Sequence, residues 1–244
     1  MEKLIYVVWK TPEVSAESFK REILGRTAKQ LIDAGARALS VNLIDDVAVQ
    51  GLQITQLAEP LSGTVSMWMD TALNRAPLEA VLAAATSRLA GYLALESVPI
   101  VNTKHVVKLG ERIPGLYNVA FLEKPDFLTY DAWLEHWQGH HTQIAIETQS
   151  TFLYIQNVLV RPLTPNAPPW TAIVEEAFPA AAATDPMVFY NADSPEKLAA
   201  HQQRMMDSCQ RFIDFARLET HPMSAYVLKS HPGSRAVRVS ARRR

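Results

Sequence analysis

Apolar positions along the chain fall into short runs of two periods, and their order predicts the architecture. Residues 3–9, KLIYVVW, are β-branched and aromatic and predict a buried strand that Thr11 and Pro12 end. Ser15 then opens a helix to about residue 33, with Phe19, Ile23, Leu24, Leu31 and Ile32 as its apolar stripe and Gly35 at the C-terminal cap. Residues 37–45 alternate as a second strand, a polar loop with an extra strand near 47–54 follows, and 64–70 reads as a third strand. Pro77 starts an Ala/Leu-rich helix predicted over 77–95, and 98–107 reads as the fourth strand. The order β-α-β-β-α-β is the ferredoxin-like unit.

The pattern then begins again. Residues 115–122 predict a strand, Thr129 caps a helix carrying YDAWLEHWQGHHTQI over 130–144, and 152–161 predict a second strand. After a Pro-rich loop with Trp170, residues 171–177 and 186–191 flank an Ala-rich insertion. Ser194 and Pro195 open a helix to about 217, and 223–229 close the unit. Laid over each other, the halves put Phe19 on Trp133, Gly25 on Gly139 and Val41 on Ile155, and later Val98 on His221. A lone ferredoxin-like sheet leaves one apolar face bare, which a second copy can cover. The expected fold is therefore α+β: two ferredoxin-like βαββαβ repeats (1–110 and 111–230) forming an intrachain pseudo-dimeric α/β barrel, with a basic tail at 231–244.

Composition narrows the function classes. Of 244 residues, 48% are apolar, enough for a sizeable core, and a net charge of -1 gives no electrostatic reason to expect nucleic acid or an anionic membrane as partner. A single cysteine, Cys209, fits a reducing compartment. The N-terminal apolar run is too short for a signal peptide, and no stretch approaches the roughly 20 apolar residues of a membrane helix. A cytoplasmic protein is expected. Phosphate-loop, nucleophile-elbow and dithiol motifs are missing from the sequence.

Chemistry concentrates in residues 130–144, where His136, His140 and His141 lie among Trp133, Trp137 and Glu135. His141 is four residues after Trp137, so the two share a helix face, and Trp133 adds to it. A histidine beside aromatic surface can carry protons near neutral pH. The aligned first half has Glu22, Ile23 and Thr27 in place of His136, Trp137 and His141. Tyr154 opens the next strand; Tyr154 and Gln156 share one strand face and Asn157 takes the other. His136 and His140 have the spacing of a zinc helix, but the sequence supplies no further ligand, so metal is not expected. Cys209 reads as buried rather than nucleophilic, and the adjacent Glu175 and Glu176 point to opposite sides of a strand and form no dyad.

HWQGHH followed by FLYIQNVLV, through His136, Trp137, His141 and Tyr154, resembles the EthD family of the dimeric α/β-barrel superfamily. That family takes its name from a protein required when bacteria degrade a fuel ether with a cytochrome P450 system. Relatives in fungal aromatic polyketide pathways are described as dehydratases or decarboxylases, and the wider superfamily includes cofactor-free monooxygenases, isomerases and haem-binding proteins. The resemblance implies an oxidoreductase-associated enzyme acting on a small hydrophobic or aromatic oxygenated compound. In that reading His141 is the proton carrier, Tyr154 a hydrogen-bond donor and His136 a secondary catalytic residue, while Trp133, Trp137 and Asn157 contact substrate. No cofactor is expected, with haem on a histidine as the alternative. Family members usually pair as dimers; here the internal pair takes that role, and a homodimer of such chains stays open. The alternatives are a cofactor-free dehydratase, isomerase or decarboxylase, or a non-catalytic binding or accessory protein. Any of these needs a pocket of roughly 300 Å3 or more.

Overall fold

A computed structural model describes residues 1–231; the expected basic tail lies, from residue 232 on, outside the described residues. Eight strands form one closed antiparallel barrel in the order β1-β3-β2-β8-β5-β7-β6-β4, with β4 returning to β1. The first four are β1 (Glu2–Trp9), β2 (Ala38–Leu43), β3 (Gly63–Met69) and β4 (Arg88–Ile100). The second four are β5 (Leu116–Leu122), β6 (Leu153–Pro162), β7 (Ala172–Phe178) and β8 (Glu219–Lys229). Each set of four pairs among its own members, and two seams, β2 with β8 and β4 with β6, join the sets. Among the described residues every strand is paired on both sides, so none of them presents an open edge.

The period-2 pattern sorts side chains between two environments. Ile5, Val7, Trp9, Tyr92, Tyr117, Phe121, Trp170 and Ile173 pack inside the barrel. Leu4, Tyr6, Val8, Leu39, Val41 and Val65 face outward, under α1 (Ala16–Glu22), α2 (Ala28–Asp33) and α3 (Ala76–Ala85). On the other side Leu122, Tyr154, Val158, Ala172 and Val174 meet Trp133, Trp137, Met205 and Phe212. These last come from α4 (Tyr130–Leu134), a π-helical turn Glu135–His141, α7 (Pro195–Cys209) and the loop after α7. α5 (Thr142–Thr148) continues from the π turn.

Two local expectations are corrected, the helix over 77–95 and the extra strand near 47–54. The helix expected over 77–95 stops at Ala85, and residues 88–100 are strand β4. Helix-forming alanines and leucines hid an alternation in which Ala90, Tyr92 and Ala94 point inward. Gly91 is the local reason the strand fits: a Cβ there would lie 2.5 Å from the Tyr6 ring. Residues 186–189 are a short helix, α6 (Pro186–Phe189), capped by Asp185, and the loop at 47–54 contributes only an isolated bridge from Ile54 to Thr220. The overlay of the halves also shifts. Val41 faces the helices whereas Ile155 packs on the barrel interior, so Asn42 rather than Val41 shares an inward role with β6, through Asn157. Tyr92 pairs with Ile5 as His221 pairs with Val119, which makes Tyr92 the counterpart of His221 in place of Val98.

Candidate functional site

The residues singled out in 130–157 divide between the two faces of β6. On the outer face, the π turn brings Trp133, Trp137 and His141 to one side, because a π turn adds a residue and rotates the helix face that follows it. The Trp133 and Trp137 rings lie 5.2 Å apart at a tilt of 40°, and Trp133 Nε1 donates to the Phe212 carbonyl at 3.1 Å. The Tyr154 hydroxyl receives hydrogen bonds from Trp137 Nε1 at 3.3 Å and Gln156 Nε2 at 3.0 Å, while Gln156 also donates to Thr142 Oγ1 at 2.8 Å. Burial raises the Tyr154 pKa, with the charge of Glu176 adding to it. His141 lies under Phe212, ring centroids 4.6 Å apart, with Nδ1 2.9 Å from Ser208 Oγ. Burial, followed by the charge of His136, pushes its pKa down to about 4, so the ring is neutral at pH 7. His136 meets the same Ser208 Oγ at 3.1 Å through Nε2, and burial lowers its pKa too. Each imidazole thus engages Ser208 through one ring nitrogen, where the π turn meets α7.

Glu176 belongs to this face and was not among the expected site residues. It stands opposite Tyr154 in the β6–β7 ladder, and among the described residues nothing hydrogen-bonds its carboxylate. Burial raises its pKa to about 7. Cys209 is nearby, and burial together with the Glu176 charge pushes its thiol up to about 12, so it is fully protonated.

Asn157 faces the other way, into the barrel. There it joins a cluster drawn from residues far apart in sequence: Lys3 on β1, Asn42 on β2, Glu96 on β4, Tyr117 on β5 and Glu175 on β7. Lys3 Nζ donates to Glu96 Oε2 at 2.6 Å and Asn157 Oδ1 at 2.7 Å, lies 3.7 Å from Glu175 Oε1, and sits 4.8 Å from the centre of the Trp68 ring. Glu175 Oε2 accepts from Asn42 Nδ2 and Tyr117 OH, both at 2.8 Å, and Oε1 accepts from Asn157 Nδ2 at 3.1 Å. Burial alone would raise the Glu175 pKa, but the Lys3 charge and these three hydrogen bonds outweigh it and hold the group below its ordinary value. Tyr117, buried and beside that carboxylate, is held well above its own.

This cluster floors a cavity of about 360 Å3 at one mouth of the barrel. Its walls are mainly apolar, with Leu153, Ile155 and Ala225 from the barrel and Val101, Val106 and Ile113 from the segment that links β4 to β5. His105 from the same segment lines the cavity and packs on Phe152 at 4.4 Å. Among the described residues, no three His, Cys, Asp or Glu side chains converge as a metal site requires. No described helix is long and apolar enough to cross a membrane.

An anthrone oxidase-like protein of solved structure superposes on 94% of this chain and 94% of its own, with a TM-score of 0.51 at 9% identity. The shared architecture is a closed antiparallel β-barrel with helices packed on its outside. At that identity the likeness speaks for the fold alone. A candidate monooxygenase from Lactobacillus acidophilus NCFM covers 93% of this chain and 96% of its own at 10% identity, with a TM-score of 0.48. No protein-family model matches the sequence, and no curated protein does.

Proposed function

We propose that this dimeric α/β barrel is an enzyme of EthD type that binds a small hydrophobic or aromatic oxygenated compound in the chamber at the barrel mouth. The observation that supports it is the chamber itself: about 360 Å3, apolar walls, and a floor of hydrogen-bonded charges at Lys3, Glu96 and Glu175. Cavities of this size and lining are where proteins hold small molecules, and a few fixed polar groups orient the ligand. Glu175 has both oxygens engaged and Lys3 has its ammonium engaged, so these two form a rigid floor. Glu96 shares only one oxygen with Lys3 and is the group able to take a proton from a bound hydroxyl. In this reading His141 and His136 pack and hydrogen-bond the helix layer. The test is a thermal-shift screen with phenolic, quinone and lactone compounds, followed by product analysis for each compound that stabilises the protein. Stabilisation and turnover by a member of the panel support the proposal; an unresponsive protein, or tight binding with no product, removes the enzyme reading.

A second reading, proton transfer of the isomerase or dehydratase kind, is favoured by one observation on the outer face. Burial raises the Glu176 pKa to about 7, and the residue stands across the ladder from Tyr154. Glu176→Gln separates the readings: it abolishes turnover in the second and leaves it in the first.

A further inference from the structure

The floor of the barrel-mouth chamber carries a sign. Lys3 contributes one positive charge and Glu96 and Glu175 two negative ones, so the three buried or half-buried groups sum to -1. The positive charge is also the inaccessible one. Lys3 has a side chain 3% exposed and donates at 2.6 and 2.7 Å to Glu96 and Asn157, with Glu175 and the Trp68 ring on its remaining sides. Glu175 is closed off in the same manner, its oxygens filled by Asn42, Tyr117 and Asn157. Asn42 Nδ2 is engaged twice, by Glu175 and by Thr64 Oγ1 at 3.0 Å. Glu96 lines the chamber with a side chain 26% exposed, and its bond to Lys3 occupies one of its two carboxylate oxygens.

The other titratable groups on the chamber wall do not reverse this. Lys229 sits at the rim and donates to the Ala36 carbonyl at 2.8 Å. His105 lies against Phe152, and His231 meets the edge of Trp68 at 5.9 Å. Among the described residues, Lys3 is the cation hydrogen-bonded to the floor, and its bonds are already made.

We infer that the chamber selects ligands whose polar end donates a hydrogen bond, a hydroxyl or an amine on an apolar ring, and rejects carboxylates of the same shape. This rests on the proposal that the chamber is the binding site. The donor would bond Glu96, with the ring against the apolar wall formed by Ile155, Leu153 and Ile113. A carboxylate in that position would meet a like charge at close range between low-dielectric walls, where such an encounter is weakly screened.

Affinities of wild-type protein for 2-naphthol, naphthalene and 2-naphthoate at pH 7.5, measured by calorimetry, test the inference. Naphthol is expected to bind at least about tenfold more tightly than naphthoate, with naphthalene between them. Equal or tighter binding of naphthoate overturns the selectivity while leaving the chamber as the site. If none of the three binds, the chamber reading itself falls and takes the inference with it. Glu96→Gln is expected to bring naphthol and naphthoate to within about threefold of each other, because it removes the like charge and keeps a polar group. An unchanged ratio in a folded Glu96→Gln protein, judged by circular dichroism, assigns the preference elsewhere and overturns the role given to Glu96. The wild-type series stands as a test even if that variant does not fold.

Discussion

Asn42 and Asn157 donate to opposite oxygens of one carboxylate, that of Glu175, at 2.8 and 3.1 Å. They hold matching places in the two sets of strands, Asn42 across from Thr64 on β3 and Asn157 across from Ile173 on β7. Because β2 and β7 are not neighbours in the barrel, the bond from Asn42 crosses the interior, as does the approach of Lys3 on β1. The interior is thereby laced across as well as paired around its circumference.

Truncating one member of this cluster leaves its partners buried and unpaired. Glu175→Leu or Lys3→Met is expected to destabilise the protein by about 3–5 kcal/mol, whereas the double variant should lose much less than the sum. Urea denaturation of the two single variants and the double variant checks this. Losses that simply add would mean that the pair is not coupled.

The outer face predicts a pH signature with two opposing parts. His141 has a folded pKa near 4 against an ordinary 6.5, so the unfolded chain takes up its proton first. Its contribution is complete above pH 6.5 and is lost as pH falls towards 4, about 3 kcal/mol in all. Glu176 is raised from 4.5 to about 7, so here the folded protein holds the proton longer. Its contribution is complete below pH 4.5 and is lost as pH rises towards 7. Between roughly pH 4.5 and 6.5 the slopes offset, and wild-type stability should vary little. Glu176→Gln should expose the histidine slope, with Tm falling as pH drops through that window, and His141→Gln should expose the reverse. Melting curves at half-unit steps of pH read both.

Tyr154→Phe removes an acceptor that serves Trp137 Nε1 and Gln156 Nε2. Trp137 then keeps a buried N–H with no partner, while Gln156 retains its bond to Thr142. A loss of about 1–3 kcal/mol is expected, and Trp137→Phe added to it should give back part of that loss by removing the orphaned donor. Chemical denaturation of the variants distinguishes this from a purely steric role for Tyr154.

Gly91→Val tests the assignment of residues 88–100 to the barrel wall. A Cβ would meet Tyr6 Cε1 at 2.5 Å and Cδ1 at 2.9 Å, so the ring or the strand must shift. Destabilisation of about 1–3 kcal/mol is expected by thermal melting. In the helix expected from sequence, the same exchange would be close to neutral.

The fold was legible because strands such as KLIYVVW and FLYIQNVLV state their period plainly and recur in the same order. RLAGYLALE was not, since alanine and leucine serve a helix and a strand alike and the alternation of Ala90, Tyr92 and Ala94 is between residues of similar polarity. The outer cluster was legible for a different reason: most of it comes from one contiguous stretch, 133–141. The inner cluster draws one side chain from each of six strands, and proximity of that kind is invisible until the strand order is known. It did leave a trace. Lys3 and Glu175 are charges at positions whose neighbours two residues away on the same strand face, Ile5 and Ile173, are core. The parity rule that separated Glu175 from Glu176 was sound, and its consequence was that each glutamate belongs to a different environment.

A closed barrel made by one chain is free of a constraint that binds a pair of identical subunits. Ser66 stands to β1 as Glu175 stands to β5, facing Ile5 where Glu175 faces Val119. In a barrel built by exact two-fold symmetry, any group near the axis arrives twice, and a central glutamate would confront its own copy in a medium that screens poorly. Joining both halves covalently lets one supply the anion and the other a small hydroxyl, with a single lysine to balance it. The interior can then be polarised, and a polarised interior can tell one end of a small molecule from the other.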